Sequence, residues 1–196
     1  MAIDTKLITK LRNMCGAGVN DCRNALEEAS NDIDKAIEIL RKKGAVKAAK
    51  KIAERTANEG IIESYIHANG KVGVLIEVRC ETDFVARNQD FKNFVHDLAI
   101  QVAAANPLYL KPEDVSPEVV AKEIEIYKEQ LKNEGKPQAI WEKIIAGKLD
   151  KYYQETCLLK QAFVKEDKFT VEKLVEQQIA KLGEKIEVVR FCRYQI

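Results

Sequence analysis

One junction, where a predicted strand runs directly into a predicted helix, constrains the fold of this chain more than any other segment. The apolar residues that alternate along the strand are Val72, Val74, Ile76, Val78 and Cys80. The apolar residues that follow at helical spacing are Val85, Phe91, Phe94, Val95, Leu98 and Val102. Thr82 therefore occupies the N-cap position of the helix, and Asp83 lies in the favourable field of the helix dipole.

The aromatic residue in the first turn of this helix, Phe84, has two interpretations. In one, Phe84 staples the start of a capped helix and serves only the structure. In the other, it points away from the body of the protein, because neither Asp83 nor Phe84 has an evident role in the core. The residues alone leave both interpretations open.

The N-terminal 44 residues predict a small bundle of three short helices. Their apolar stripes are Ile3, Leu7, Ile8, Leu11 and Met14, then Val19, Cys22, Ala25, Leu26 and Ala29, then Ile33, Ala36, Ile37 and Leu40. The turn Gly16-Ala17-Gly18 separates the first two helices, and Ser30-Asn31-Asp32 offers a cap for the third. The arrangement resembles the ubiquitin-associated type of domain. Residues 45–59 follow as a predicted basic helical linker, whose lysines form either a solvated face or a contact for an acidic partner.

Residues 60–196 predict an α+β core that also serves as a dimerisation domain. Asn69-Gly70 between two β-rich segments is a strong hairpin signal. Helices are predicted over residues 84–105, from Pro117 to about 133, from Pro137 onward and over 171–182, and the last strand over 186–194. We expect this strand to pair with the hairpin in a three-stranded antiparallel sheet packed with helices. Both faces of its strands carry apolar residues, so a partner or a second copy is expected to cover one face.

Composition argues against several classes of function. The net charge of +1 gives no electrostatic reason to bind nucleic acid or an anionic membrane. No apolar segment approaches the roughly 20 residues that span a bilayer. The sequence Met1-Ala2-Ile3-Asp4 lacks the features of a signal or transit peptide, so a cytoplasmic location is expected. The five cysteines form no CxxC pair, and no metal site is predicted.

The sequence also lacks the motifs of common enzymes. It contains no phosphate-binding loop, no dinucleotide fingerprint and no nucleophile elbow. His67 is interpreted as a surface residue of the hairpin and His96 as a helix residue with satisfied hydrogen bonds. Glu81 and Asp83 are interpreted as a solvated carboxylate pair. We therefore predict no catalytic residue in the covalent sense and no cofactor.

Four segments resemble the elongation factor Ts family, which exchanges the nucleotide of the GTPase elongation factor Tu. The segments are Thr82-Asp83-Phe84-Val85, the N-terminal Gly16-Ala17-Gly18 with Asp21-Cys22, Lys111–Ser116, and Gln161–Lys165. The resemblance extends from about Leu7 to Phe191 in the family's order. It implies that the chain binds elongation factor Tu with GDP, disturbs its magnesium and phosphate site, releases GDP, and leaves the nucleotide-free form ready for GTP.

The resemblance also assigns roles to residues. It implies that Thr82, Asp83, Phe84 and Val85 form the exchange tip. The residues that it implies for partner binding are Arg12, Gly16, Ala17, Gly18, Val19 and Asn20. The chain departs from the family at Cys15, Val19 and Asn20, where Thr, Met and Met are usual.

The length of the chain adds an expectation about assembly. Short members of the family are homodimers, so the resemblance implies a homodimer here, with Cys192 as a candidate interface residue on the last strand. The alternative function is a pure interaction module, whose N-terminal bundle binds ubiquitin-like or nascent-chain partners. That alternative accounts for residues 1–55 but not for Thr82 to Val85.

Overall fold

The computed structural model describes residues 5–15 and 17–196, and within these it describes all side chains except those of residues 44–54. The helices of the described residues are α1 (Thr5–Cys15), α2 (Val19–Glu28), α3 (Ile33–Glu54), α4 (Asp83–Arg87), α5 (Gln89–Ala105), α6 (Pro117–Asn133), α7 (Trp141–Thr156) and α8 (Val171–Leu182). The strands are β1 (Glu59–Ile66), β2 (Val72–Cys80), β3 (Ala162–Phe163), β4 (Glu166–Thr170) and β5 (Glu187–Gln195). Short 3-10 turns lie at Pro112–Asp114, Gln138–Ile140 and Leu158–Lys160.

The chain forms two compact units. The first contains the N-terminal segment through Ile61 together with Val78–Lys92 and Lys173–Glu187. The second contains Ile62–Glu77, Asn93–Glu172 and Val188–Ile196. None of the helices in the described part of the chain combines the length and apolar composition needed to span a bilayer.

Helices α1, α2 and α3 pack together around a small apolar core. Its fully or almost fully buried residues are Leu11, Cys22, Ala25, Leu26, Ala29 and Ala36. Asp32 caps α3, because its Oδ1 accepts a hydrogen bond from Lys35 N at 3.1 Å. Helix α3 continues past Gly44 to Glu54, so most of the predicted linker is helical. The domain boundaries themselves stay a prediction.

The sheet has the strand order β1-β2-β5 and is antiparallel, which confirms the predicted α+β class and sheet. The inward positions of β2 are buried at Val74, Ile76, Val78 and Cys80, as the alternation predicts. Gly70 adopts a φ of +67° in the hairpin turn, and its amide donates to the carbonyl of His67 at 2.7 Å. Between β2 and β5, Arg190 Nε lies 2.7 Å from Glu77 Oε2.

The helix predicted over residues 84–105 is in fact two helices, α4 and α5, which are separated by Asn88. Asn88 is extended, with φ −65° and ψ 136°. Its Oδ1 accepts from Asp90 N at 2.7 Å, while its own amide donates to the Val85 carbonyl at 3.0 Å. One asparagine thus ends α4 and caps α5, a role that its short amide side chain suits.

The hairpin of β3 and β4 was not predicted from the sequence. Its start is held by Gln101, a fully buried residue of α5. Gln101 Nε2 donates to Gln161 Oε1 at 3.1 Å and to the carbonyl of Ala162 at 3.2 Å. Gln101 Oε1 accepts from Val164 N at 2.8 Å. These bonds satisfy an amide that would otherwise be costly to bury.

Candidate functional site

The segment Thr82–Val85, which we call the tip, lies where β2 ends and α4 begins. Thr82 is the N-cap of α4, and its Oγ1 accepts a hydrogen bond from Val85 N at 3.4 Å. Val85 is half-buried, and Ala86 after it is buried. Phe84 points the other way and is 82% exposed. A side chain this apolar and this exposed is available to a partner, and it does not staple the helix start.

The acidic residue of the tip, Asp83, is the first residue of α4. Its carboxylate lies 3.2 Å from Arg87 Nη2, one turn further along the helix, and the side chains of Asp83 and Arg87 are 46% and 79% exposed. Exposed pairs of this kind contribute little to stability. Asp83 therefore remains accessible beside Phe84.

The backbone of the tip is held by Glu184, a residue that the sequence did not single out. Glu184 Oε2 accepts from both Glu81 N and Thr82 N at 3.1 Å. Glu184 Oε1 accepts from the Thr82 hydroxyl at 2.6 Å. Glu184 directly follows Gly183, which ends α8 with a φ of +82° and whose backbone N–H donates a hydrogen bond to the carbonyl of Ile179.

The side chain of Glu81 is also bound, which differs from the predicted solvated carboxylate pair. Arg55 Nη1 donates to both carboxylate oxygens of Glu81, at 3.2 and 3.1 Å. Lys185 N donates to Glu81 Oε1 at 2.5 Å, and Lys185 Nζ donates to the carbonyl of Arg55 at 2.9 Å. Glu81 and Asp83 therefore belong to separate interactions. Residues Arg55, Glu81, Glu184 and Lys185 form what we call the clamp of the tip.

The buried thiols of the first unit, Cys22 and Cys80, are unreactive. Cys80 is fully buried at the end of β2, and its Sγ donates to the carbonyl of Thr82 at 3.2 Å. Burial raises the pKa of Cys80 to about 11, with Glu184 as a further cause. Burial likewise raises the pKa of Cys22 to about 11, with Cys15 as a further cause. Both thiols are therefore protonated near neutral pH and are poor nucleophiles.

The predicted partner-binding residues gather where α1 ends and α2 begins. Those that the structure describes are Arg12, Ala17, Gly18, Val19 and Asn20. Gly16 lies outside the described residues. Gly18 is the N-cap of α2, and its carbonyl accepts from Cys22 N at 2.9 Å. Val19 is 50% exposed, and Met14, which was not predicted here, is similarly exposed. Met14 and Val19 thus form an accessible apolar surface at this end of the bundle. We call Arg12, Met14, Ala17, Gly18, Val19 and Asn20 the bundle surface.

The second unit presents apolar side chains on its part of the sheet. Ile62 and Ile66 of β1 are 66% and 64% exposed, and Leu75 and Tyr194 are also exposed. A cleft of about 520 Å³ is lined by residues that include Ile66, Tyr194 and Ile196. Cys192 on β5 is half-buried and is not in a disulfide. We call the exposed residues Ile62, Ile66, Leu75 and Tyr194 the sheet patch.

The two histidines have ordinary partners in the second unit. His67 Nδ1 lies 3.1 Å from the Tyr65 hydroxyl, and His96 Nδ1 lies 3.0 Å from Glu63 Oε1. The ring of Tyr65 also meets that of His96 edge-on, at 5.9 Å between centroids. Within residues 5–15 and 17–196, no group of three or more His, Cys, Asp or Glu side chains is arranged to hold a metal ion.

An exposed aromatic side chain on a hydrogen-bonded tip is typical of a protein that acts by contacting another macromolecule. Comparison with known proteins identifies the family. The family model described as Elongation factor TS matches residues 8–196. The chain therefore belongs to the elongation factor Ts family.

Close relatives support the same assignment over almost the whole chain. The chain is 56% identical to elongation factor Ts of Moorella thermoacetica over 189 residues, which covers 96% of this chain and 93% of that protein. It is 55% identical to elongation factor Ts of Thermotoga petrophila over 196 residues, which covers 100% of this chain and 97% of that protein. The resemblance of the four sequence segments is thus confirmed at the level of the family.

Proposed function

We propose that this protein is a guanine nucleotide exchange factor of translation elongation, which binds elongation factor Tu with GDP and promotes GDP release. Membership in the elongation factor Ts family supports the activity. The exposure of Phe84 on a tip that is otherwise held by hydrogen bonds is the observation that carries the mechanism. The protein supplies no covalent chemistry and no cofactor, and it works in the cytoplasm.

The mechanism that we propose for the tip is mechanical. In GTPases, backbone amides and a bridging Mg²⁺ ion hold the nucleotide phosphates, so disturbing the metal site removes a large local charge. Phe84 enters between helices of the GTP-binding domain and shifts the segment that supports Mg²⁺. Asp83 redirects a polar contact there, while Thr82 and Val85 fix the shape of the tip. Lowering the release barrier by about 4 kcal/mol accelerates release roughly a thousandfold.

Release of a fluorescent GDP analogue from elongation factor Tu tests this function. We expect small amounts of the chain to accelerate GDP release from many molecules of elongation factor Tu. We also expect a reciprocal effect on affinity: the chain weakens the binding of GDP by some factor, and GDP weakens the binding of the chain by the same factor. Binding without accelerated release would contradict the proposal and favour the pure interaction module.

We further propose that the N-terminal bundle is of the ubiquitin-associated type and supplies affinity. The bundle surface, together with Gly16, contacts the GTP-binding domain. This contact raises the local concentration of the tip at its target. The exposed apolar side chains of Met14 and Val19 support this role.

Val19→Glu tests the bundle surface. We expect this substitution to raise the concentration of chain that gives half-maximal exchange by about tenfold and to leave the saturated rate unchanged, because a charge replaces an apolar contact. An acid in the first turn of α2 suits the helix dipole, so the fold should be retained. The measurement is a titration of the exchange rate against chain concentration.

Asn24→Glu is the matched control for Val19→Glu. Asn24 is exposed on the same helix, five residues further along and about 140° around its axis. This variant should keep the wild-type half-maximal concentration. Unchanged affinity of the Val19 variant would contradict the docking role of the bundle surface.

We propose that two chains form a homodimer through the sheet patch. A self-complementary apolar surface closes under twofold symmetry, and each dimer then offers two tips. Cys192, on β5, is placed near the symmetry axis in this proposal. A disulfide there is not expected, because the cytosol is reducing.

Ile66→Asp tests the dimer. The substitution buries an unpaired carboxylate in the proposed interface, so we expect a monomeric mass by light scattering at micromolar concentration, where the unmodified chain is dimeric. Leu108→Asp, which changes another exposed apolar residue of the second unit, should stay dimeric. An unmodified chain of monomeric mass would contradict the interface.

A further inference from the structure

The Glu184 carboxylate gathers three hydrogen bonds from two consecutive residues at the base of the tip. It accepts from Glu81 N, Thr82 N and the Thr82 hydroxyl, at 3.1, 3.1 and 2.6 Å. We propose that Glu184 is a positioning residue for exchange, which fixes the direction in which Phe84 projects. This inference rests on the proposed function, because it assigns a role to Glu184 within the same site.

The bond to the Thr82 hydroxyl determines how the hydroxyl can act. A hydroxyl has one proton, and here that proton is donated to Glu184 Oε1. The oxygen is left to accept from Val85 N, which is the N-cap bond of α4. Glu184 therefore sets the orientation of Thr82, Thr82 sets the first turn of α4, and Phe84 is the second residue of that helix.

The neighbouring carboxylate of Glu81 is engaged elsewhere and cannot replace Glu184. Both of its oxygens accept from Arg55, and one also accepts from Lys185 N. Residues 184 and 185 thus bind positions 81 and 82 in two ways. The Glu184 carboxylate accepts hydrogen bonds from the backbone amides of Glu81 and Thr82, and the Glu81 carboxylate accepts one from the backbone amide of Lys185. Hydrogen bonds with an ionised acceptor are among the stronger ones in proteins.

A fixed tip matters for the rate of exchange more than for binding. A wedge that is ordered before contact loses little conformational freedom when it enters its target. Small errors in the position of an acting group can lower a rate strongly, whereas the affinity supplied by the bundle surface is unaffected. Loss of Glu184 should therefore lower the saturated rate while leaving the half-maximal concentration unchanged.

The first measurement needs no partner protein. Hydrogen exchange of the Glu81 and Thr82 amides, followed by NMR in the full-length chain, reports directly on their bonds to Glu184. In Glu184→Ala we expect protection at both amides to fall by about tenfold or more, while the amides of Val175 and Ile179 in α8 keep theirs. Unchanged protection at residues 81 and 82 would overturn the proposed anchoring.

The second measurement separates positioning from folding. We expect Glu184→Ala to lower the saturated rate of GDP release by about tenfold, with the half-maximal concentration unchanged. Glu184→Gln should recover much of the rate, because an amide oxygen can still accept from both backbone amides. Glu176→Ala, which removes a carboxylate within α8 that pairs with Lys173 and lies away from the tip amides, should behave as the unmodified chain.

The outcomes distinguish this inference from the proposed function. A Glu184→Ala variant with exposed tip amides and a normal saturated rate would overturn the positioning role. A change in the half-maximal concentration alone would overturn it as well. An unmodified chain without exchange activity would instead overturn the proposed function, and the amide measurement would still decide whether Glu184 anchors the tip.

Discussion

Replacement of Phe84 by alanine is expected to lower the saturated rate of GDP release from elongation factor Tu by about a hundredfold or more. The physical reason is that the proposed wedge would lose its aromatic ring, while the hydrogen bonds of Thr82 that form the tip involve no atom of the ring. Because Phe84 is 82% exposed, its truncation should change the free energy of unfolding by no more than about 0.5 kcal/mol.

The measurement combines stopped-flow release of a fluorescent GDP analogue with thermal unfolding followed by circular dichroism. Leu108→Ala is the matched control, because it truncates another strongly exposed apolar side chain. Phe84→Leu should lie between alanine and the unmodified chain, since it keeps apolar volume but loses the flat ring. A Phe84→Ala variant with a normal release rate would contradict the proposed wedge mechanism.

Substitution of Gly60 by alanine should destabilise the protein by about 3 kcal/mol or more. Gly60 lies in β1 with a φ of +150°, which residues with a Cβ atom rarely adopt. An added Cβ would also meet the Val78 carbonyl oxygen at 2.3 Å and Arg79 Cα at 2.7 Å. Both are backbone atoms of the neighbouring strand, so neither can move aside without disturbing β2.

Urea unfolding of Gly60→Ala, with Gly147→Ala as the control variant, checks this expectation. Gly147, inside α7, has φ in the ordinary range and open space where a Cβ would lie. Gly147→Ala should therefore stabilise the protein, by up to about 1 kcal/mol. If Gly60→Ala unfolds at the same urea concentration as the unmodified chain, the close approach of β1 and β2 at this point is wrong.

Local patterns in the sequence predicted those parts of the fold that depend on neighbouring residues. The alternating burial along β2 follows from the geometry of a single strand, and the turn at Gly70 and the cap at Thr82 involve hydrogen bonds between residues close in sequence. Each was found as predicted. The break at Asn88 was missed because the apolar spacing of α5 continues that of α4, although an asparagine before Asp90 was a possible signal.

The missed parts depend on contacts that are distant in the sequence. Glu184 binds Thr82 across 102 positions, and no spacing rule connects two such residues. In the sequence, Glu184 looks like any other exposed glutamate. Its place directly after Gly183, which ends α8, is a signal that could have indicated a fixed position. The β3–β4 hairpin was missed for a related reason, because β4 begins with Glu166, Asp167 and Lys168, which are uncommon in strands.

Because α3 is one continuous helix from the bundle to the residue before Arg55, the number of residues in it sets the rotation of the bundle about the helix axis relative to the clamp. Each residue added to a helix advances it by about 1.5 Å and turns it by about 100°. One residue inserted before Glu54 would thus turn the bundle surface well away from its present direction relative to Arg55, whereas seven inserted residues would return it to within about 20°. The number of residues in α3 therefore encodes an angle as well as a length, and related chains that share this geometry should differ here by whole helical periods.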